Sequence, residues 1–219
     1  MILIYWDTLE ELSKIKTNSI DLIITDPPYK VISWWKPKHK WQPWWILLKN
    51  DWKIFEHNNI NISDYISELY RILKEWTHCY IMINLINLEN LLAESKKAGF
   101  KLHNLLIWEK NNKTPNRWYM KNIEYIVFLR KWKAKKINSS DWQILKHKNI
   151  LWNKTHPTEK PVSLLEQLIN NSSSKWDVIL DPFMWTWSCW VACKNLNRDF
   201  IWIEIDENYF KIAKDRINN

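Results

Sequence analysis

Glycine is almost missing from this chain of 219 residues, which holds a single one, Gly99. Average usage predicts roughly 15 in a chain of this length, so the tight turns and phosphate-hugging loops that glycine normally serves must be built from something else. Cysteine is scarce as well: Cys79, Cys189 and Cys193 are odd in number and contain no C-x-x-C pair. That excludes a disulfide scaffold, suits reduced thiols, and leads us to expect no metal site. No apolar run approaches membrane-spanning length, and the apolar start Met1-Ile2-Leu3-Ile4-Tyr5 is too short for a signal segment. We therefore expect a cytoplasmic protein with no membrane association. What is abundant is tryptophan, at 18 residues.

Charge points to an anionic partner. Lys and Arg total 32 against 24 Asp and Glu, a formal +8. The excess is concentrated between Lys30 and His57 and between Lys131 and Lys154, and the remainder of the chain is close to neutral. Two basic stretches on a neutral body fit a nucleic-acid groove better than a generally solvated surface. Within them Lys36, Lys38, Lys40, Lys133, Lys135 and Lys136 are the candidate nucleic-acid-binding residues.

Short β-branched runs alternate with helical patterns, which marks an α/β sheet covered on both faces. Strands are expected at 21–25, 80–83, 105–108, 125–129, 178–180 and 200–203. Helices are expected from Asp64 to Leu73 with Ser63 as N-cap, from Asn87 to Ala98 closing on Gly99, and from Val162 to Asn170 with Pro161 in the first turn. The whole chain, 1–219, reads as one domain. Segments of about 30–60 and 131–155 lack periodicity and are read as basic loop insertions, candidates for DNA recognition.

Two strand ends carry chemistry. Asp26-Pro27-Pro28-Tyr29 follows the first expected strand, and open α/β sheets bind ligands beyond the carboxyl ends of their strands. An aromatic amine is a poor nucleophile because its lone pair is drawn into the ring. A carboxylate and a backbone carbonyl accepting its two N–H bonds favour the more nucleophilic pyramidal form. Pro27 and Pro28 stiffen the backbone and offer no competing N–H, and Tyr29 can stack on an unstacked base. The second strand end is Asp181-Pro182-Phe183, which leads through Trp185, Trp187 and Trp190 into a helix. Glu204 lies 19 residues beyond Trp185, after the next strand, where dinucleotide folds place the acid that meets ribose hydroxyls.

Taken together, these segments resemble the S-adenosylmethionine-dependent DNA amino-methyltransferases, in the circular order that puts the catalytic motif before the cofactor motif. Asp26-Pro27-Pro28-Tyr29 resembles the family's catalytic motif, and Asp181-Pro182-Phe183 with the loop after it resembles its cofactor motif. His156-Pro157-Thr158-Glu159-Lys160-Pro161 resembles the segment leading to the helix beside the methionine end of the cofactor. Asp7 resembles an acid near the cofactor. The resemblance implies a Rossmann-like, doubly wound, mostly parallel sheet of seven strands with one antiparallel member. It implies Asp26, Pro27, Pro28 and Tyr29 as the catalytic set, and Asp7, Thr158, Lys160, Asp181, Pro182, Phe183, Trp185, Trp187 and Glu204 as cofactor-binding residues.

DNA is the implied partner, with adenine favoured over cytosine because position 26 is Asp; a homodimer and a restriction endonuclease partner are left open. Where the family has glycine, this chain has Trp6, Trp185, Trp187, Trp190 and Trp202. Trp76, Trp132 and Trp176 likewise sit where turns call for glycine. The expectation is that a UGA codon written here as Trp is read as Gly in the source organism, with Trp108 and Trp118 genuine. If instead every Trp is real, the indoles at 185 and 187 occupy the cofactor's space. The chain would then be a non-catalytic nucleic-acid binder on the same scaffold.

Overall fold

The computed structural model describes residues 2–28, 60–114, 119–133, 135–150, 159–184, 188–207 and 210. In chain order the elements are β1 (Ile2–Tyr5), α1 (Thr8–Lys14), β2 (Ile20–Thr25), α2 (Ile62–Ile72), β3 (Leu73–Ile83), α3 (Leu85–Ala98), β4 (Lys101–Thr114), β5 (Lys121–Arg130) and β6 (Ile144–Lys146). They are completed by α4 (Val162–Ser172), β7 (Val178–Asp181), α5 (Ser188–Asn195) and β8 (Asp199–Glu204). The strands form one sheet in the order β1-β8-β7-β2-β3-β5-β4-β6. Only β5 runs against its neighbours, pairing antiparallel with both β3 and β4. The expected mostly parallel, doubly wound sheet is therefore present, with eight strands among the described residues where seven were expected. The extra one is β6, three residues beside β4, within the segment read as a loop.

Alternation of side chains across the pleat explains the two-faced core. Leu22, Ile24, Tyr80, Met82, Ile126 and Phe128 pack with Leu164 and Leu168 of α4 and with Ala192 of α5. Ile23, Cys79, Ile81, Val127 and Leu129 face the other way, against Leu12 of α1, Tyr65, Ile66 and Leu69 of α2, and Leu91 of α3. Because both faces are covered, these strands are continuous apolar runs, as expected of central strands in such sheets.

Helix ends follow local chemistry. The helix expected from Asp64 starts at Ile62, with Asn61 rather than Ser63 at the N-cap; the Asp64 carboxylate reaches back to the Asn61 backbone N–H at 2.8 Å. Asn84 caps α3 by accepting from the Asn87 N–H at 3.0 Å, and Gly99 ends that helix with φ +104°. Pro161 stands at the N-cap of α4, one position before the first turn.

Five other described residues have positive φ, and three are tryptophan: Trp76 at +72°, Trp132 at +57° and Trp176 at +71°, beside Asn18 and Asn197. Asparagine visits this region readily, whereas a bulky residue there costs roughly 1–2 kcal/mol. All three indoles are exposed. Among the described residues no helix is long and apolar enough to cross a membrane.

Candidate active site

The sense in which successive strands are added to the sheet reverses between the parallel neighbours β7 and β2. From β7 the chain passes through α5 to β8 on one side, and from β2 through α2 to β3 on the other. The crevice at such a switch point is where open α/β sheets bind ligands. Asp181 closes β7 and Asp26 follows β2, so the two strand ends singled out in the sequence flank this crevice.

Asp26 is divided between two roles. Its Oδ2 accepts from the Lys160 ammonium at 2.5 Å. Its Oδ1 is buried and has no hydrogen-bond partner among the described residues. Burial pushes the carboxyl above its ordinary range, opposed by Lys160 and reinforced by Glu124. Pro27 and Pro28 extend from the strand without regular structure, which leaves their carbonyls outside any sheet ladder.

Asp181 and Glu204 end neighbouring parallel strands, β7 and β8. Both are buried. Asp181 Oδ1 accepts from the Phe183 backbone N–H at 3.3 Å, and burial lifts its carboxyl to about 7. Glu204 Oε1 accepts from the Asp206 N–H at 2.8 Å, and burial lifts it to about 8. Two buried carboxyls raised towards or above pH 7 at one crevice are a functional signature in physical terms, because the hydrogen bonds each accepts do not offset its desolvation.

Asp7 joins the same edge at the end of β1. Its side chain caps α1, accepting from the Leu9 N–H at 2.8 Å. The neighbouring Thr8 hydroxyl donates to the Pro182 carbonyl at 2.8 Å and fixes the turn after β7. Phe183 lies edge-on to Tyr65, with ring centroids 5.0 Å apart, and is largely taken up by the core beneath the crevice.

Lys160, expected from the resemblance to bind the cofactor, places its ammonium against Asp26 and 3.5 Å from Glu124 Oε2. Glu124 and Lys110, which pair with each other, were not anticipated. Their signal is faint: each is a charged residue inside a strand, just beside its apolar stretch, Lys110 after residues 105–108 and Glu124 before residues 125–129.

The lysines divide by edge. β5 runs antiparallel, so the chain leaves it on the edge opposite Asp26. There Lys131 is buried, its ammonium donating to the Tyr70 and Leu73 carbonyls at 2.8 Å. Lys133, Lys135 and Lys136 follow it on that far edge; Lys135 donates its backbone N–H to the Trp76 carbonyl at 2.9 Å. The structure therefore does not bring these three to the crevice. Exposed Lys146 and Lys148, at and beyond the end of β6, do stand on the Asp26 edge. Tyr29, Lys36, Lys38, Lys40, Thr158, Trp185 and Trp187 lie outside the described residues.

Tryptophans behave in two ways. Trp108 is buried with its indole N–H donating to the His147 carbonyl at 2.9 Å. Trp202 is fully buried in β8 with its Nε1 unpartnered among the described residues, stacked against Trp190 at 6.3 Å between centroids.

Comparison with known proteins extends this geometry. Residues 20–215 match a family described as DNA methylase. The type II methyltransferase M2.DpnII of Streptococcus pneumoniae is 32% identical over 240 residues, covering 99% of this chain and 89% of its own length. M2.LlaDCHI of Lactococcus lactis subsp. cremoris, also a type II methyltransferase, is 31% identical with the same coverage. Among solved structures, the M1.HpyAVI–SAM complex superposes with a TM-score of 0.73 at 26% identity, covering 98% of both chains. The cytosine-N4-specific PvuII DNA methyltransferase shares the fold at a TM-score of 0.74 and 17% identity, over 98% of this chain and 85% of that one.

Proposed function

From the premise that this chain belongs to the DNA methylase family, we propose that it transfers the methyl group of S-adenosylmethionine to the exocyclic amine of adenine in DNA. The observation that carries the assignment is the division of Asp26: one oxygen is tied to Lys160, and the other is buried without a partner. A buried acceptor left open at a ligand crevice calls for a donor, and an amine N–H supplies one.

The residues present fit the cofactor. Asp181 and Glu204 offer desolvated carboxyls at adjacent strand ends, and a carboxylate in such a place gains from hydroxyl donors. Glu204 would hold the ribose hydroxyls, while Asp181, Pro182 and Asp7 shape the floor between β1, β8 and β7. S-adenosylmethionine bound there would supply an electrophilic sulfonium methyl to the amine lone pair, its sulfur leaving as the neutral thioether and the amine giving up one proton to water. Asp26 Oδ1 and the Pro27 carbonyl accept the two N–H bonds of the amine and turn its lone pair out of the ring plane. Tyr29 stacks on the base, which must be extruded from the duplex to reach this depth. Positioning of two reactants supplies most of the rate, with no covalent bond to the protein. A second copy of the chain and a restriction endonuclease are the protein partners to test for.

We further infer that glycine stands at the strained or unsatisfied tryptophans, Trp76, Trp132, Trp176 and Trp202, and with them at positions 6, 185, 187 and 190. Left-handed backbone at three exposed indoles and an unpaired buried indole N–H support this. Trp108, with its N–H satisfied, is the contrasting genuine case. Glycine in the loop after Asp181 would admit the cofactor by close backbone approach.

The direct test uses methyl-labelled S-adenosylmethionine and unmethylated duplex DNA. Label enters the DNA with the native protein, and D26N transfers at least about 10³-fold more slowly while still binding the cofactor. Transfer by D26N at the native rate would overturn the assignment.

A further inference from the structure

The environment of Asp26 poses a problem that the bare reaction does not solve. To accept an amine N–H, the carboxyl must be ionised; protonated, it presents a hydrogen where the amine needs an acceptor. Burial favours the protonated form, and so does the Glu124 carboxylate on β5; Asp181 on β7, itself raised to about 7, also faces Asp26. Among the described residues, the other groups that face Asp26 electrostatically are Lys160, Lys110 on β4 and the Tyr65 hydroxyl on α2.

Lys160 is buried immediately before α4, with its ammonium between two carboxylates, Asp26 Oδ2 at 2.5 Å and Glu124 Oε2 at 3.5 Å. Glu124 gives its other oxygen to Lys110. Lys160 and Lys110 hold the carboxyl of half-buried Glu124 below its ordinary value, against the effect of desolvation. Charges thus alternate along a row, Lys110, Glu124, Lys160 and Asp26, that passes over the end of β3 from β4 and β5 to the tip of β2. Buried ion pairs seldom stabilise a fold, because desolvation offsets their attraction. A row that ends on the one carboxyl required to accept an amine N–H is better explained by what it does to that carboxyl.

We propose that Lys160 is a positioning residue for methyl transfer: its ammonium keeps Asp26 ionised and fixes the carboxylate so that Oδ1 faces the substrate amine, while Glu124 and Lys110 hold the ammonium in place. The assignment rests on Asp26 being the amine acceptor. It takes Lys160 away from the cofactor and gives it to the acceptor side of the site. It also gives roles to Glu124 and Lys110, two residues outside the motifs read from the sequence.

The test reads Asp26 directly. Aspartate 13Cγ signals are titrated in the protein without cofactor, with D26N identifying the Asp26 signal, and the pH dependence of kcat is measured in parallel. In K160M the Asp26 midpoint rises by about one pH unit or more and the acid limb of kcat moves up with it. At pH 7 kcat falls about tenfold or more, while KM for S-adenosylmethionine changes much less. K160R keeps the native limb. E124Q moves the limb down, because it removes an anion that opposes ionisation; opposite shifts in the two variants cannot come from a folding defect. Should K160M fail to fold, K160R and E124Q carry the test.

An unmoved Asp26 midpoint in K160M, a loss confined to the cofactor KM, or an upward shift in E124Q would each overturn the role of Lys160 and leave the acceptor role of Asp26 intact. Native-rate transfer by D26N would instead overturn the reading of the site itself.

Discussion

Asp26 and Lys160 are 134 residues apart in the chain and meet at 2.5 Å at the carboxyl edge of the sheet. Their pairing ties the segment before α4 to the tip of β2, and it leaves Asp26 with one oxygen committed and one open. The strand order explains how such distant segments meet: β2 and β7 are neighbours, and α4 precedes β7. Asp7, Asp26, Lys160, Asp181 and Glu204 therefore stand along one edge of the sheet.

Glu204 is costly to the fold. Its carboxyl is raised from 4.5 to about 8 by burial. The folded state therefore binds more protons than the unfolded one between those values, and stability falls as pH rises through that window. E204Q removes the penalty. We expect it to stabilise the protein at pH 8 by on the order of a few kcal/mol, read as a higher denaturant midpoint, and to abolish cofactor binding. An unchanged or lower midpoint at pH 8 would mean that Glu204 is not held neutral in the empty site.

Cofactor binding should release protons. Ribose hydroxyls donating to Glu204 favour its ionised form, so the carboxyl that is protonated below about 8 in the free protein gives up its proton on binding. Calorimetry at pH 7 in buffers of different ionisation enthalpy should show net release with the native protein and much less with E204Q. Equal heats in all buffers would contradict the placement of the ribose.

His78 gives an acid limit of opposite sign. It is buried with Nδ1 3.0 Å from the Ser172 hydroxyl, and burial lowers it from 6.5 to about 4. Between those values the unfolded state binds the extra proton, so this group removes stability as pH falls from about 6.5 to 4, by up to about 3 kcal/mol. Denaturation midpoints measured across that range should drop, and H78F should flatten the drop at the cost of the Ser172 hydrogen bond.

Exposed lysines on the two edges should differ in their effect on DNA binding. Lys146 and Lys148 stand on the edge that carries Asp26, while Lys133 and Lys135 lie on the opposite one. Replacing the first pair with Gln should weaken duplex binding and reduce the salt slope by about 1 for each phosphate no longer neutralised. The same change at Lys133 and Lys135 should leave both unchanged. Equal effects at the two edges would indicate wrapping rather than one docking edge.

Much of this organisation was legible in the sequence, for identifiable reasons. β2, β3, β5 and β7 were legible because central strands buried on both faces are written as apolar runs, β4 and β8 through shorter apolar stretches, and the placement of Asp26 and Asp181 follows from motifs directly after such runs. β1 and β6 were missed because edge strands of three or four residues lack a period to detect. The edge on which the lysines at 133, 135 and 136 stand is not legible in the sequence, because the antiparallel course of β5, which delivers them to the edge opposite Asp26, is not encoded locally. Lys160 was assigned by its neighbours in the chain, whereas its partner comes from a long-range pairing that no local pattern encodes.

Trp176, exposed at φ +71°, offers a simple check on the glycine assignment. W176G should raise stability by about 1 kcal/mol if the backbone is strained as described. Peptide mass spectrometry of residues 176–194 from the native source should then show glycine at 176, 185, 187 and 190. Tryptophan at those positions would contradict the assignment and favour a non-catalytic DNA binder on this scaffold.

The identity of the methylated base tests the central claim most directly. DNA incubated with the protein purified from its own source and S-adenosylmethionine, then digested to nucleosides and resolved by mass spectrometry, should contain N6-methyladenine. None should appear with D26N. N4-methylcytosine as the product, or no methylated base at all, would contradict the account.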